Sequence, residues 1–274
     1  MNGEPATDGS PGAQARPPRE TSLRSAYLWV RSALCWAACG TFFFTACPVL
    51  VLLGVFVDPR QNDGPQRWLS RNVVRLAGAR VEVRLSPGFD QRRTSFFVSN
   101  HVNLFDPFVL YGVVPQFIRG LELESHFRIP AYGWMMKRFG NVPVPETTRP
   151  SDLKRMWRLA RTAVTSGVSL VVFPEGSRTL DGRVGPFRDG GFRMAQQFGT
   201  PIVPVSIVGS FDFHRKTSWM LRPSTIVVYF HDTIETAGLS KNDVPKLRDR
   251  VREIVAEPVH AAMDARNAEP ALRG

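Results

Sequence analysis

Apolar and polar positions along this chain fall into three regimes. Residues 32–57 hold no charged side chain in 26 consecutive positions, more than the roughly 20 needed to cross the hydrocarbon core of a bilayer. Residues 66–76 come next, where Trp68, Leu69, Val73, Val74 and Leu76 are spaced among arginines as the apolar face of a short helix able to lie on a membrane. Beyond it, β-rich runs alternate with helical ones. The pattern predicts strands at 80–85, 94–98, 168–173, 202–208 and 225–229, and helices at 107–113, 130–139, 152–166, 190–198 and 244–264. That alternation predicts an α/β fold with a mostly parallel sheet flanked by helices. In the last helix Val244, Leu247, Val251, Ile254 and Val255 recur at helical spacing, as expected of a face packed on the sheet.

Pro48 divides the long apolar run into 16 residues before it and nine after, and proline removes a helical hydrogen bond. Neither piece spans a bilayer alone. Arginines flank both sides, Arg16, Arg19, Arg24 and Arg31 before it and Arg60, Arg67, Arg71, Arg75 and Arg80 after it. Orientation follows the asymmetry of such charges, so this near balance points to both ends on the cytoplasmic side, as in a half-inserted helical hairpin. The alternative is one kinked, tilted span. A cleaved signal peptide fits poorly, because a long polar segment precedes the run. The expected organisation is a disordered basic tail over residues 1–23, a membrane anchor with an amphipathic helix over 24–78, and a catalytic domain over 79–274.

Composition narrows the partners. The chain of 274 residues carries a formal charge of +11 and an isoelectric point near 10.4, so its surface seeks anions such as acidic lipid headgroups or phosphorylated small molecules. Nucleic acid is a poor fit: the arginines are scattered and no zinc, RNP or helix-turn-helix pattern is present. Cys35, Cys39 and Cys47 all lie in the apolar run, where they imply neither a disulfide framework nor a zinc site. No GxSxG elbow or HExxH spacing appears, which argues against serine-hydrolase and metal chemistry.

Two segments carry candidate chemistry. In SFFVSNHVNLFDPF, His101 follows a strand and Asp106 stands before Pro107, at the start of a helix. Strand ends are where α/β sheets bind ligands, so the two form a possible base and its orienting carboxylate. Asp106 as a simple helix cap and His101 as a polar loop residue explain the same residues equally well. In SLVVFPEGSRT, a strand breaks at Pro174, and Glu175, Gly176, Ser177 and Arg178 follow in a turn. There a glycine permits close approach of an anion and Arg178 offers a planar fork for phosphate. A surface turn with a solvated arginine is the plainer account.

Taken together, the segments carry a resemblance. NHVNLFD is similar to the NHxxxxD motif, and FPEGSRT to the FPEGTRS motif, of the glycerolipid acyltransferases typified by 1-acylglycerol-3-phosphate acyltransferase, about 70 residues apart and in the usual order. PFRDGGFRMAQQFGTPIVPVSIVGS resembles that family's last conserved block, so the likeness covers residues 81–209. It implies the family's α/β fold, with His101 deprotonating the acceptor hydroxyl and Asp106 holding the imidazole in its tautomer. It further implies Glu175, Gly176, Ser177 and Arg178 around the acceptor's phosphate, Arg119 as an accessory cation, and Asn100 and Asn103 flanking the base. The implied partners are membrane lipids, a lysophospholipid acceptor such as lysophosphatidic acid, and acyl-CoA or acyl carrier protein as co-substrate, with no other cofactor and no metal. The implied location is a membrane, with the catalytic domain facing the cytoplasm.

One departure bears on the acceptor. Where the family often carries an acidic residue and an arginine, this chain reads GNVPVPETTRP, with Pro145 and Glu146 in those places. Acyltransferases for other lyso-lipids share the base motif, so a different headgroup is the nearest rival. An inactive membrane protein that binds acidic lipid is a rival of another class, favoured by the anchor and the arginines and opposed by the presence of both His101 and Asp106.

Overall fold

The structure, a computed structural model, describes residues 22–60 and 63–268. Most of the expected tail, with Arg16 and Arg19, lies outside the described residues. Helix α1 (Ser22–Phe56) is a single helix of 35 residues with Pro48 inside it. The chain does not fold back at Pro48, so the hairpin expectation is corrected. The reason lies in packing: Cys47 and Leu50, on either side of the proline, are both buried against the rest of the molecule, and that burial holds the axis through the missing hydrogen bond.

Helix α2 (Asp63–Ala77) is amphipathic, but not in the expected sense. Leu69, Val73, Val74 and Ala77 turn inward to the core, while Trp68 and Leu76 face out. Its apolar stripe is spent on the protein rather than on a membrane. Trp68 instead meets Phe42 of α1 edge to face, with ring centroids 5.2 Å apart.

The remaining elements run β1 (Ala79–Leu85), β2 (Phe96–Ser99), α3 (Asp106–Val113), β3 (Ile118–Leu123), a 3-10 turn (Glu124–Arg128), α4 (Tyr132–Arg138) and β4 (Val142–Val144). They continue as α5 (Pro150–Thr165), β5 (Ser169–Val172), α6 (Gly190–Phe198), β6 (Ile202–Val208), α7 (Ser210–Phe213), β7 (Ser224–Phe230) and α8 (Val244–Ala268). The seven strands form one sheet in the order β1-β7-β6-β2-β5-β3-β4. Every pairing is parallel except that of β6 with β7.

Both faces of the sheet are covered, so alternate residues of one strand enter different cores. Phe97 and Val171 join the core beneath α1 to α4, whereas Phe96, Val98, Leu170 and Val172 join the core beneath α5, α6 and α8. This is why β2, β5 and β6 read as runs that are apolar on both faces but for the buried Ser99, Ser169 and Ser206. Strands β3 and β4 are additions to the sequence reading. Arg119, Gly120 and Glu122 interrupt the apolar pattern of β3, and the three-residue β4 carries Pro143, which an edge strand tolerates. The fold brings the ends of β2, β5, β3 and β6 to one edge of the sheet, and that edge carries the chemistry.

Candidate active site

His101 leaves the end of β2 in a loop that returns at once as α3. Asp106 is the first residue of α3 and is wholly buried, with Pro107 behind it in the first turn. One of its oxygens, Oδ2, accepts the backbone amides of Val102 (2.6 Å) and Asn103 (2.8 Å) and lies 2.9 Å from Nδ1 of His101. The other, Oδ1, accepts the hydroxyl of Ser210 at 2.6 Å. Four polar partners on one buried carboxylate fix it as an acceptor, which places the imidazole proton on Nδ1 and leaves Nε2 with its lone pair. The imidazole lies flat on Phe173, centroids 4.3 Å apart and planes 22° from parallel.

The second segment grips the backbone of the first. The carboxylate of Glu175 accepts the amide of His101 through Oε1 (2.8 Å) and that of Gly185 through Oε2 (3.0 Å). Burial pushes the Glu175 carboxyl up from its ordinary value, while the amides of Gly185 and His101 pull it back down. On the other side of the histidine, its carbonyl accepts the amide of Thr179 at 2.9 Å. Glu175 therefore braces the loop instead of facing an anion. Asn100 is spent in the same way: its amide exchanges two hydrogen bonds with the backbone of Ile207, at 3.0 and 2.8 Å. Asn103 donates to the carbonyl and hydroxyl of Ser210 and accepts from the amide of Phe105. Both asparagines are buried, so although they flank the base as expected, their side chains brace the loop.

At the mouth of the site, Gly176 has φ +72°, and a Cβ there would come within 2.7 Å of the Arg188 guanidinium. The positive φ calls for glycine, whereas the Arg188 side chain could swing aside. Ser177 is exposed beside it and Arg178 is half-buried. The Arg178 charge also reaches His214, which burial first and Arg178 second hold below the ordinary histidine range. Arg178 and Arg188 thus surround the turn with positive charge.

Arg119 is not brought to these residues. It stands early in β3, opposite Leu170, and donates to the carbonyls of Phe139 and Ile118. A 98 % buried guanidinium held in this way cannot reach a ligand at the strand ends. At the departure seen in the sequence, Glu146 accepts the Ser125 hydroxyl at 2.5 Å, and Arg149 is the exposed residue before α5.

A small apolar cavity of about 40 Å³ has Phe173, Phe108, Tyr132, Met135, Met136 and Leu69 in its wall and reaches the imidazole only through Phe173. Phe173 belongs to both places, since it carries the imidazole on one face of the site and closes the cavity. Glu122 also reaches the cavity and holds Nδ1 of His126. Sequence reasoning missed Ser210, Phe173 and Glu122. Ser210 ends the block GTPIVPVSIVGS and was open to notice there, whereas Phe173 reads as one more apolar residue of a strand.

Comparison with known proteins bears on the family and the fold. A family profile described as Acyltransferase matches residues 80–208. The sheep 1-acyl-sn-glycerol-3-phosphate acyltransferase alpha is 30% identical over 207 residues, 76% of this chain and 71% of the relative. The human beta form is 28% identical over 228 residues, 82% and 81% of the two chains. Among solved structures, the 1-acyl-sn-glycerophosphate acyltransferase of Thermotoga maritima superposes with a TM-score of 0.72 at 23% identity, covering 87% of this chain and 97% of that one. At that identity the likeness speaks for the fold.

Proposed function

The chain belongs to the glycerolipid acyltransferase family, and from that premise we propose that it moves a fatty acyl group from a thioester, acyl-CoA or acyl carrier protein, to the sn-2 hydroxyl of lysophosphatidic acid. The observation that carries this reading is the open Nε2 of His101, backed by the buried Asp106 and set between a cationic turn and an apolar cavity. The acceptor hydroxyl gives its proton to Nε2 as its oxygen attacks the thioester carbonyl. Collapse of the tetrahedral adduct expels the thiolate, which takes the proton from the imidazolium. No acyl-enzyme forms. Such base catalysis is worth about 10² to 10⁴ in rate. Asp106 acts through the imidazole, holding the tautomer and offsetting its positive charge. Arg178 binds the acceptor phosphate, and the cavity, about 40 Å³ in this structure, widens to take the end of an acyl chain. Glu146, standing where an arginine is usual in the family, favours an acceptor with another headgroup as the second reading.

The membrane enters through α1. From Leu28 to Gly54 the helix touches the rest of the protein at intervals, with Arg31 and Ser32 bonded to Leu221 and Trp36 to Trp219. Those 26 steps correspond to about 39 Å of helix, longer than the roughly 30 Å hydrocarbon core. A helix fastened to a sheet domain over that length lies in the membrane surface with its outer face, Leu34, Phe44, Val49, Leu52 and Phe56, in lipid. The catalytic domain then rests on the cytoplasmic side, where thioester donors are made.

The test is thiol release by the purified full chain in detergent, from acyl-CoA and from acyl carrier protein donors, over a panel of lyso-lipids. Lysophosphatidic acid is expected to stimulate release from wild type but not from His101→Ala, and Arg178→Ala to raise its apparent KM. Stimulation by a different lyso-lipid alone transfers the assignment to that acceptor, and wild-type turnover in His101→Ala would sink the mechanism.

A further inference from the structure

Away from the histidine site the protein has a cleft of about 700 Å³ built on the start of β3 and β5, the ends of α4 and α5, and the chain that leaves α1. Six cations line it: Arg60, Arg119, Arg128, Lys137, Arg138 and Arg155. Two carboxylates oppose them. Glu124 is taken by Arg155 at 2.8 Å, and Asp58 accepts the backbone amide of Arg60 at 2.7 Å. The charge facing the cleft is therefore strongly positive, and its walls mix apolar residues, Phe117, Phe127, Phe139 and Leu159, with the polar Asn141, Thr162 and Ser166.

Arg119 sets this cleft apart from an ordinary basic surface. Its side chain is 98 % buried, Nε and Nη1 are spent on backbone carbonyls, and Nη2 has no partner. None of the ion pairs among the described residues includes it. The Arg119 and Arg60 guanidiniums both lie against the ring of Phe117, at 3.9 and 5.9 Å from its centroid. Two like charges on one ring repel, and a buried cation without a counterion is costly. Nη2 itself lies beneath the surface, and an anion bound in the cleft would offset the charge of both guanidiniums. Planar guanidinium forks select phosphate oxygens over simpler anions.

We propose that this cleft binds a phosphate group, carried by an anionic phospholipid headgroup or by a soluble phosphate ester. The geometry favours the lipid source. Arg138 packs on Gly54 and Arg60 follows α1 by four residues, so the cations stand at the end of the helix whose outer face is apolar. That is the level at which headgroups lie, and the apolar part of the walls suits the glycerol and upper acyl carbons of a lipid. The site is separate from the acyl-transfer chemistry, and its occupancy is read without any turnover.

The experiment measures Tm of the full chain in zwitterionic micelles, with phosphatidylcholine, phosphatidylglycerol or sodium pyrophosphate added. It compares wild type with Arg60→Gln/Arg138→Gln, and with Lys246→Gln/Arg250→Gln, which removes the same charge from exposed positions on α8. For a lipid site, phosphatidylglycerol raises Tm by about 5 °C in wild type and in the α8 variant, and by little in the cleft variant. The same pattern with pyrophosphate alone identifies a soluble phosphate ester as the source. Equal rises in all three proteins, or no rise with either phosphate, overturn the proposal.

Discussion

The Ser210 hydroxyl donates to the Asp106 oxygen that His101 does not use, over 2.6 Å, and so joins the start of α7 to the start of α3. Asp106 thereby has partners on both oxygens and cannot rotate away from the imidazole. Ser210 itself is fixed by Asn103, which ties all three to the same loop.

Ser210→Ala is expected to lower kcat by about tenfold and leave KM for both substrates near its wild-type value. A hydrogen bond to a charged group contributes about 1.5–3 kcal/mol, and only part of that bears on imidazole placement. Steady-state kinetics separate the two constants. A change confined to KM would mean that Ser210 touches substrate and not the base.

Glu175 supplies a pH-dependent prediction. Because burial raises its folded-state pKa, the folded protein holds the proton where the unfolded chain has lost it. Its contribution to stability is therefore fully present below the ordinary glutamate value and declines as pH rises through the folded pKa. Glu175→Gln removes that dependence but offers one acceptor oxygen to the two amides of His101 and Gly185, at a cost of about 1–3 kcal/mol. Urea unfolding of both proteins from about pH 4 to 7 should show the wild-type advantage shrinking as pH rises. An advantage that widens instead would mean that the two amide bonds outweigh burial.

The apolar cavity predicts acyl-chain selection. Gly120 lies in its wall, and a Cβ there would meet the Asn141 oxygen at 3.5 Å and the Tyr111 hydroxyl at 3.6 Å, ordinary contact distances. A Cβ therefore fits at Gly120, and the two further methyls of Gly120→Val add bulk in the wall of a cavity of only about 40 Å³. The profile of rate against donor or acceptor chain length should move to shorter chains, with little loss on the shortest. An unchanged profile would place the acyl chain elsewhere.

How much of this was legible follows from which residues had to be apolar. Strands β2, β5 and β6 are buried on both faces, so Phe96 to Val98, Leu170 to Val172 and Ile202 to Val208 announce themselves. Strand β3 does not, because Arg119 is held at Nε and Nη1 by backbone carbonyls and Glu122 by His126, contacts that no periodicity encodes. Spacing suggested the pairing of His101 with Asp106 but fitted a helix cap and a loop histidine equally well, and the family motif is what singled it out. That Glu175, Asn100 and Asn103 serve the backbone was not readable: their partners lie between 74 and 107 residues away along the chain or turn on loop geometry. The same limit applies to α1, where composition announced an apolar helix but only the fold revealed that one face belongs to the core.

That division of α1 into two faces gives the last prediction. A detachable anchor can be removed or charged without harm to the domain behind it, but Cys39, Cys47 and Leu50 are buried in the core beneath α3 and α4. Truncation of α1 would strip these contacts and destabilise the whole molecule by several kcal/mol, at about 25 cal/mol per Å² of apolar surface uncovered. Leu34 and Leu52, by contrast, are 66% and 61% exposed. Arginines at those two positions leave the core untouched and set charge against hydrocarbon, where each costs about 2.5–3.5 kcal/mol at depth. Leu34→Arg/Leu52→Arg should therefore remain folded by circular dichroism and float poorly with neutral vesicles, whereas the α1 truncation should fail to fold. A truncated protein that folds and turns over normally would show that α1 is only an anchor, and a double-arginine variant that floats like wild type would show that its outer face does not meet lipid.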